Sequence, residues 1–320
     1  MPDFSLVKLI AHFAQCNKAE GKAAQTVFWY TQMLEEFTKF LSNNSKAVTL
    51  ELLNPASVRE FIVTQQDKGL SPHTVACRIR ALRAFSSWLL REGYTAENVL
   101  AVIKPPKTPS RMIDVLTPAE IDKLVSSQNP LTALGSRNIA LLITLLDTGL
   151  RISEICNLRF EDAHIDQGYF KVLGKGNKER VVPVGMLAQK VLYRYTFHFR
   201  PEPAFPEDNC LFLTLAGERL TTNAARLLLK RWGKNAGVPR LHAHLCRHTY
   251  ATSFLNQRCG DVFRLQQILG HTTLEMVRHY VHFASSQDMI QGRVLSPMDR
   301  LGIKKLNGYR IDHLIRNSHR

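Results

Sequence analysis

Six residues spread along the sequence belong to types that can act together on an anion. They supply two guanidinium groups, two imidazoles, one ammonium and one phenol, and they are Arg151, Lys175, His244, Arg247, His271 and Tyr280. No cluster of carboxylates accompanies them, so no divalent metal site is evident. The set suits a metal-free attack on a phosphodiester, with the tyrosine hydroxyl as the nucleophile.

Glycines mark the first two of these positions. Arg151 follows an apolar helical segment, 138–148, and the helix-breaking Gly149, so its side chain can leave the core and point into a cleft. Glu154 lies one helical turn further on and can brace the guanidinium, although this pattern alone favours a structural arginine–glutamate pair. Lys175 stands between two glycines at the tip of a predicted hairpin. No P-loop motif is present, and a solvated turn charge is the simpler interpretation of this lysine alone.

The segment around His244 combines three histidines and a cysteine, which could suggest zinc. No His-Glu-x-x-His order and no second ligand cluster accompany it, so a zinc site is rejected. His244 and Arg247 are spaced i, i+3, which puts an imidazole beside a guanidinium on one helix face and suits an anion. A core histidine bonded to the backbone is the alternative interpretation.

The last two residues flank a predicted helix junction. Gly270 can end one helix, which places His271 at the junction, and Thr272 or Thr273 can start the next helix. Tyr280 then falls about two turns along that helix. A lone tyrosine at such a position is more often a packing residue than a nucleophile.

Taken together and in this order, the residues resemble the signature of one family. The chain is similar to tyrosine site-specific recombinases of the phage-integrase and Xer type, whose pattern is Arg, Lys, His-x-x-Arg, His, Tyr. The blocks that resemble the family are residues 71–90, 148–154, 174–180 and 269–271. The first of them resembles part of the family's N-terminal core-binding domain. The sequence departs from the family pattern at Cys246, where leucine is usual, and at Val277, where threonine is common; both are packing positions.

The resemblance implies a reaction without a metal or another cofactor. Tyr280 would attack the scissile phosphate and leave a 3′-phosphotyrosyl enzyme with a free 5′-hydroxyl. Arg151 and Arg247 would hold the non-bridging oxygens, which gain charge in the transition state.

The remaining site residues receive supporting roles. His244 is the best candidate to accept the tyrosine proton, because a phenol has an intrinsic pKa of about 10 and needs a base near neutrality. Lys175 would protonate the departing 5′-oxygen, and His271 would hydrogen-bond the phosphate. Glu154 would orient Arg151 or His244 from behind.

The composition is that of a globular protein with a polyanionic partner. The chain has 320 residues, of which 45% are hydrophobic and 22% charged, with a net charge of +15 and a pI near 9.7. A surplus of this size favours nucleic acid, and neither a long apolar run nor an amphipathic anchor supports a membrane partner. Six scattered cysteines and an N-terminus unlike a signal peptide predict a cytoplasmic protein, associated with the nucleoid in a prokaryote.

The predicted fold is mainly α with a small β-hairpin or sheet, in two domains that would form a clamp around duplex DNA. The divisions are a helical, SAM-like core-binding domain at 1–103, a basic proline-rich linker at 104–115, an α+β catalytic tyrosine-recombinase domain at 116–295 and a basic tail at 296–320. Ser71 and Thr117 are predicted N-caps, each followed by proline in the first helical turn. Helices are expected to resume at Thr222 and to continue to the C-terminus.

Basic residues of the first domain and the linker are the predicted DNA contacts. They are Arg78, Arg80, Arg83, Lys104 and Lys107. An arginine-rich helix face is usually only solvated, but the global charge raises the expectation of phosphate contact.

By resemblance, the partner is double-stranded DNA with inverted half-sites, bound by one homodimer at each site and by a homotetramer at synapsis. The activity would serve integration, excision or resolution of a mobile element or replicon. Two alternatives stay open. One is a type IB topoisomerase that relaxes DNA without paired sites, and the other is a helical, non-catalytic DNA-binding regulator.

Overall fold

The computed structural model describes residues 5–43, 48–107, 114–174, 178–256, 261–270, 273–274, 277, 280, 305–306 and 309–310. The chain divides into two compact units, residues 1–111 and 112–320. The division falls inside the basic segment 104–115. None of the helices in the described ranges has both the length and the apolarity needed to cross a bilayer.

The first unit is helical, as its apolar periodicity predicts. Its described helices are α1 (Leu6–Ala19), α2 (Ala24–Ser42), α3 (Pro55–Asp67) and α4 (Pro72–Arg91), with a short 3₁₀ turn at Leu50–Leu52. Helix α4 begins as predicted: the Ser71 hydroxyl accepts the Thr74 N–H, and Pro72 occupies the first turn. The core is rich in aromatic side chains, among them Phe13, Phe85 and Trp88, whose rings pack at 5.3–5.7 Å.

The second unit is also mainly helical. Its described helices are α5 (Pro118–Ser126), α6 (Ala133–Thr148), α7 (Ile152–Asn157), α8 (Met186–Arg194), α9 (Thr222–Asn235), α10 (Ala243–Leu255) and α11 (Val262–Leu269). The predicted capping box is present at α5, where the Thr117 hydroxyl and the Glu120 carboxylate satisfy each other's backbone N–H groups. Helix α6 is the buried centre of the unit, packs against α8 and α10, and ends at Gly149.

One small antiparallel sheet interrupts these helices. Its strands are β1 (Ala163–His164), β2 (Tyr169–Leu173) and β3 (Glu179–Pro183), in the order β1-β2-β3. The predicted hairpin is therefore confirmed as β2–β3, with Phe170 opposite Val182 on the buried face. Strand β1 was not predicted, because two residues are too few to show an alternating pattern.

Two expectations about the later part of the chain are wrong. Helical structure resumes at α8, well before Thr222, since Ala188 and Leu192 supply a buried i, i+4 pair in a helix too short to stand out from the sequence. A π-helical turn at Tyr195–Phe199 continues it. Near the C-terminus the chain is not helical throughout, because β4 (Lys305–Leu306) pairs antiparallel with β5 (Tyr309–Arg310).

Candidate active site

Arg151 stands directly before α7, where the chain emerges from the core at Gly149. Its Nη1 donates to the Glu154 Oε1 at 2.8 Å, and its backbone N–H donates to the Glu154 Oε2 at 2.8 Å. Its Nη2 reaches the Gly270 carbonyl oxygen at 3.3 Å. The predicted Arg151–Glu154 pairing is therefore present, and it aims the guanidinium at the end of α11.

Arg180 on β3 completes this arrangement, and the sequence analysis did not single it out. Its Nη1 and Nη2 grip the two Glu154 oxygens at 3.0 and 2.9 Å, and its Nε donates to the Ile268 carbonyl oxygen at 2.7 Å. Burial raises the pKa of the Glu154 carboxyl, but hydrogen bonds from Arg180 and from the Arg151 N–H outweigh it and lower that pKa overall. One ionised carboxylate thus joins β3, α7 and the α11 terminus.

Arg247 on α10 is almost completely buried, with 3% of its surface exposed. Its Nη1 donates to the Gly149 carbonyl oxygen and its Nη2 to the Leu269 carbonyl oxygen, both at 2.8 Å. Burial and the nearby Arg151 cation lower the pKa of Arg247 to about 10. The positive charges of Arg151 and Arg247 repel each other, and a bound anion would offset this repulsion.

The Tyr280 hydroxyl lies against α10. It is 2.9 Å from the Nδ1 of His248, and it also shares a hydrogen bond with Arg247. Burial raises the pKa of the Tyr280 phenol, while the Arg247 charge and hydrogen bond oppose that rise. The side chain is 5% exposed, so the packing role considered for a lone tyrosine is also fulfilled.

His244 and His248 follow each other on one face of α10, with ring centroids 5.9 Å apart and ring planes inclined by 21°. Burial and the Arg247 cation lower the pKa of His244, and burial together with His244 lowers the pKa of His248 to about 4. Both imidazoles are therefore neutral near pH 7. His248, which the sequence analysis weighed only as a zinc ligand, is the histidine that contacts the tyrosine hydroxyl.

An open cleft of about 650 Å³ adjoins the site. Arg151, His244 and Arg247 line it together with Arg226 and Lys230 of α9, so its walls are strongly basic. Among the residues that the structure describes, no group of three or more His, Cys, Asp or Glu side chains could hold a metal ion.

The structure thus brings together four of the six predicted site residues, with Glu154 behind them. Those four are Arg151, His244, Arg247 and Tyr280. Lys175 and His271 lie outside the described residues, although their neighbours Gly174 and Gly270 are described.

The predicted DNA contacts of the first unit and the linker differ in accessibility. Arg78 is largely buried and turns inward, where it bonds Gln65 and lies 3.6 Å from the Glu36 carboxylate. Arg80, Arg83, Lys104 and Lys107 are exposed and can reach a ligand.

A tyrosine hydroxyl is held between a guanidinium and an imidazole, beside a second guanidinium and a basic cleft. This arrangement suits enzymes that transfer a phosphoryl group to tyrosine. Residues 114–287 match the phage integrase family, and residues 11–93 match the N-terminal SAM-like domain of phage integrases. The chain belongs to the phage integrase family and is a tyrosine recombinase.

Named relatives cover nearly the whole chain. It is 32% identical over 296 residues to the tyrosine recombinase XerC of Bacillus pumilus, an alignment that covers 91% of this chain and 95% of that protein. It is 30% identical over 280 residues to XerD of Listeria innocua, with 87% and 93% covered. The fold is similar to that of the XerH site-specific recombinase bound to a palindromic difH substrate, with a TM-score of 0.70, 22% identity and coverage of 87% and 82%.

Proposed function

We propose that this recombinase cuts and rejoins DNA strands through a 3′-phosphotyrosyl intermediate formed on Tyr280. The observation that carries the proposal is the position of the Tyr280 hydroxyl, which is hydrogen-bonded to His248 and Arg247. Arg151 donates to the Gly270 carbonyl oxygen and Arg247 to the neighbouring Leu269 carbonyl oxygen, so both guanidinium groups lie at the C-terminal end of α11.

The reaction exchanges one phosphodiester bond for another. The phenolic oxygen gives its proton to His244 and forms a bond to phosphorus, and the bond from phosphorus to the 5′-oxygen breaks. The phosphodiester energy is kept in the phosphotyrosyl linkage. A 5′-hydroxyl from another strand reverses the step and restores DNA without ATP. Arg151 and Arg247 stabilise the charge that develops on the non-bridging oxygens, and each donor of this kind contributes about 3–4 kcal/mol.

The proposed roles of the other predicted residues complete the step. Lys175 gives a proton to the departing 5′-oxygen, and His271 hydrogen-bonds the phosphate. The position of Gly270 against the Arg180 guanidinium supports a fixed junction immediately before His271. Glu154 is a positioning residue, because it acts on the phosphate only through Arg151.

We propose duplex DNA with inverted half-sites as the substrate. The basic cleft and the net charge of +15 support a polyphosphate ligand. The palindromic substrate named for XerH supports a two-fold symmetric site, and such a site binds two copies of one chain. Two occupied sites then bring four copies to a synapse, where integration, excision or resolution of a mobile element or replicon takes place.

Covalent trapping tests the proposal. The protein is incubated with a pool of nicked duplexes whose inverted arms are randomised, and adducts that survive denaturation are isolated and sequenced. Wild type should give a phosphotyrosyl adduct and Tyr280→Phe none, while Tyr193→Phe, a change on α8 away from the site, should retain it. An adduct with Tyr280→Phe, or none with wild type under binding conditions, contradicts the proposal.

Two further readouts separate the alternatives. Recombination between two selected sites is the expected result. Relaxation of supercoiled DNA without any need for two sites indicates the topoisomerase, and DNA binding without an adduct indicates the regulator.

A further inference from the structure

We infer that Arg180 is a positioning residue for strand cleavage, which acts by holding the phosphate-binding Arg151 in place. The inference rests on the proposed function and adds a residue to it, since the sequence analysis did not single out Arg180. Its basis is the set of contacts that one guanidinium group makes with Glu154 and with the end of α11.

The end of α11 is a common anchor for three guanidinium groups. Three consecutive carbonyl oxygens each accept a hydrogen bond from a different arginine, namely Ile268 from Arg180 at 2.7 Å, Leu269 from Arg247 at 2.8 Å and Gly270 from Arg151 at 3.3 Å. Carbonyl groups at a helix C-terminus have no intrahelical partner and carry partial negative charge, so they attract cations. Arg180 therefore shares its anchor with both arginines that are proposed to bind the phosphate.

Arg180 differs from those two arginines in where its fork points. Its Nη1 and Nη2 both face the Glu154 carboxylate, at 3.0 and 2.9 Å, and its side chain is only 13% exposed. Within the described parts of the chain, Arg151 and Arg247 belong to the lining of the basic cleft and Arg180 does not. Arg180 thus acts on a phosphate in the cleft only through its neighbours.

Both groups that hold Arg151 are themselves held by Arg180. The Nη1 of Arg151 donates to Glu154, and its Nη2 donates to the Gly270 carbonyl oxygen. Arg180 binds the same carboxylate, and its guanidinium lies against Gly270, where a Cβ would come within 3.2 Å of the Arg180 Cζ. Loss of the Arg180 fork would release both supports of Arg151 at once.

Charge balance alone does not account for these contacts. A lysine at position 180 would also place a cation beside Glu154. It would lack the rigid planar fork that lets Arg180 bind both carboxylate oxygens through its Nη groups and the Ile268 carbonyl oxygen through its Nε. Geometry, rather than charge, is what Arg180 supplies, and Arg180→Lys separates the two.

The first test compares Arg180→Lys with the matched control Arg200→Lys. Arg200 also donates to backbone carbonyl groups of this unit, those of Cys210 and Leu211, but it is not in the described cleft lining. Adduct formation on a nicked duplex is followed in single turnovers, with DNA affinity and denaturant unfolding measured separately. We expect Arg180→Lys to cleave about 10²-fold more slowly at unchanged affinity, the cost of displacing a catalytic group by about 1 Å. Arg200→Lys should cleave nearly as fast as wild type.

Three results of this comparison would overturn the inference. The first is cleavage by Arg180→Lys at nearly the wild-type rate, which would mean that charge is sufficient. The second is equal slowing of both variants. The third is unfolding of Arg180→Lys in buffer in which Arg200→Lys stays folded. Either of the last two would make Arg180 a residue of general stability.

A double-variant cycle tests the route through Arg151. Arg151→Lys alone should lose about 10²–10³ in rate. Adding Arg180→Lys should then cost little more, because the effects of residues that act as a unit are not additive. A further loss of about 10², or disappearance of the adduct in the double variant alone, would overturn the inference. Wild type is assayed in parallel, so absence of a wild-type adduct is recognised separately as failure of the proposed function.

Discussion

At the residue scale, Arg247 is a buried cation that backbone carbonyl groups hold in place. Its guanidinium satisfies two backbone carbonyl groups and the Tyr280 hydroxyl at once, which requires several donors fixed in one plane. Lysine carries the same charge but cannot reproduce that geometry. The residue therefore anchors the Gly149 and Leu269 segments, and under the proposed function it also donates hydrogen bonds to the phosphate.

We predict that Arg247→Lys cleaves about 10²–10³ more slowly than wild type, because one transition-state donor is lost. DNA affinity should change little, since the net charge is kept. Single-turnover adduct formation and a binding isotherm measure the two quantities. Arg226→Lys in the same cleft is the matched control and should cleave nearly normally. A loss confined to binding would contradict the transition-state role of Arg247.

We predict that Glu154→Gln destabilises the second unit by about 3–5 kcal/mol, because it leaves the Arg180 and Arg151 guanidiniums without their buried carboxylate. The folded-state pKa of Glu154 is lowered, so its contribution is fully present above the unfolded-state pKa of about 4.3 and is lost as pH falls through the lower folded value.

Denaturant unfolding of both proteins at several pH values measures this. The difference between wild type and Glu154→Gln should be constant from neutral pH down to about pH 5 and shrink under more acidic conditions. Glu161→Gln removes the carboxylate of an exposed pair with Arg159 and should change stability by at most about 1 kcal/mol. Equal effects of the two substitutions would refute the importance of burial.

Sequence separation decides which of these contacts could be predicted. Arg151 directly precedes α7 and lies three residues from Glu154, and His244 and Arg247 have the same spacing within α10. Local helical geometry alone brings each pair together. Arg180 meets Glu154 from 26 residues away and His248 meets Tyr280 from 32, so only the fold creates those contacts. Arg78 shows the converse: its helix face was predicted, but not the Glu36 and Gln65 partners that turn it inward.

At the level of elements, the bend between α6 and α7 positions Arg151. It also supplies the Gly149 carbonyl oxygen, which accepts a hydrogen bond from Arg247. Gly149 makes the bend with a φ of 62°, in the left-handed region. A Cβ there would lie 2.4 Å from the Tyr250 Cδ1 and 2.8 Å from the Leu269 Cδ2. Both the backbone conformation and the space therefore require glycine.

We predict that Gly149→Ala lowers the free energy of unfolding by more than the about 1–3 kcal/mol that left-handed strain alone costs. Gly237→Ala is the matched control, because Gly237 has a φ of 75° but no atom within 4 Å of a Cβ. Denaturant unfolding compares the two. Equal losses would mean that the α6–α7 bend yields easily and that the contact with Tyr250 is unimportant.

The start or end of a helix could be predicted where a few adjacent residues mark it. The Ser71 and Thr117 caps and the Gly149 and Gly270 termini were all read correctly, because each depends on a few adjacent residues. Strand β1 was missed because two residues cannot show an alternating pattern, although its partner β2 is close in sequence. Helix α8 was missed because it is short and packs against α6, which lies far away in sequence. Local propensity carries little information about such short segments.

For the whole molecule, the net charge of +15 predicts strongly salt-dependent DNA binding. Each neutralised phosphate contributes about −0.9 to the slope of log K against log salt. Arg226 and Lys230 are exposed on α9 and line the basic cleft, so each is expected to neutralise one phosphate. The overall charge alone, however, does not say which cations contact DNA.

We predict that the double variant Arg226→Gln, Lys230→Gln makes the salt slope shallower by about 1.8, as expected for two lost phosphate contacts. Its matched control removes two exposed charges of α8 outside the cleft, Lys190→Gln and Arg194→Gln, and should leave the slope unchanged. Fluorescence anisotropy of a labelled duplex over a salt series measures both. If the two double variants shift the slope equally, the salt dependence of binding follows the total charge of the protein, and the cleft is not the DNA-binding surface.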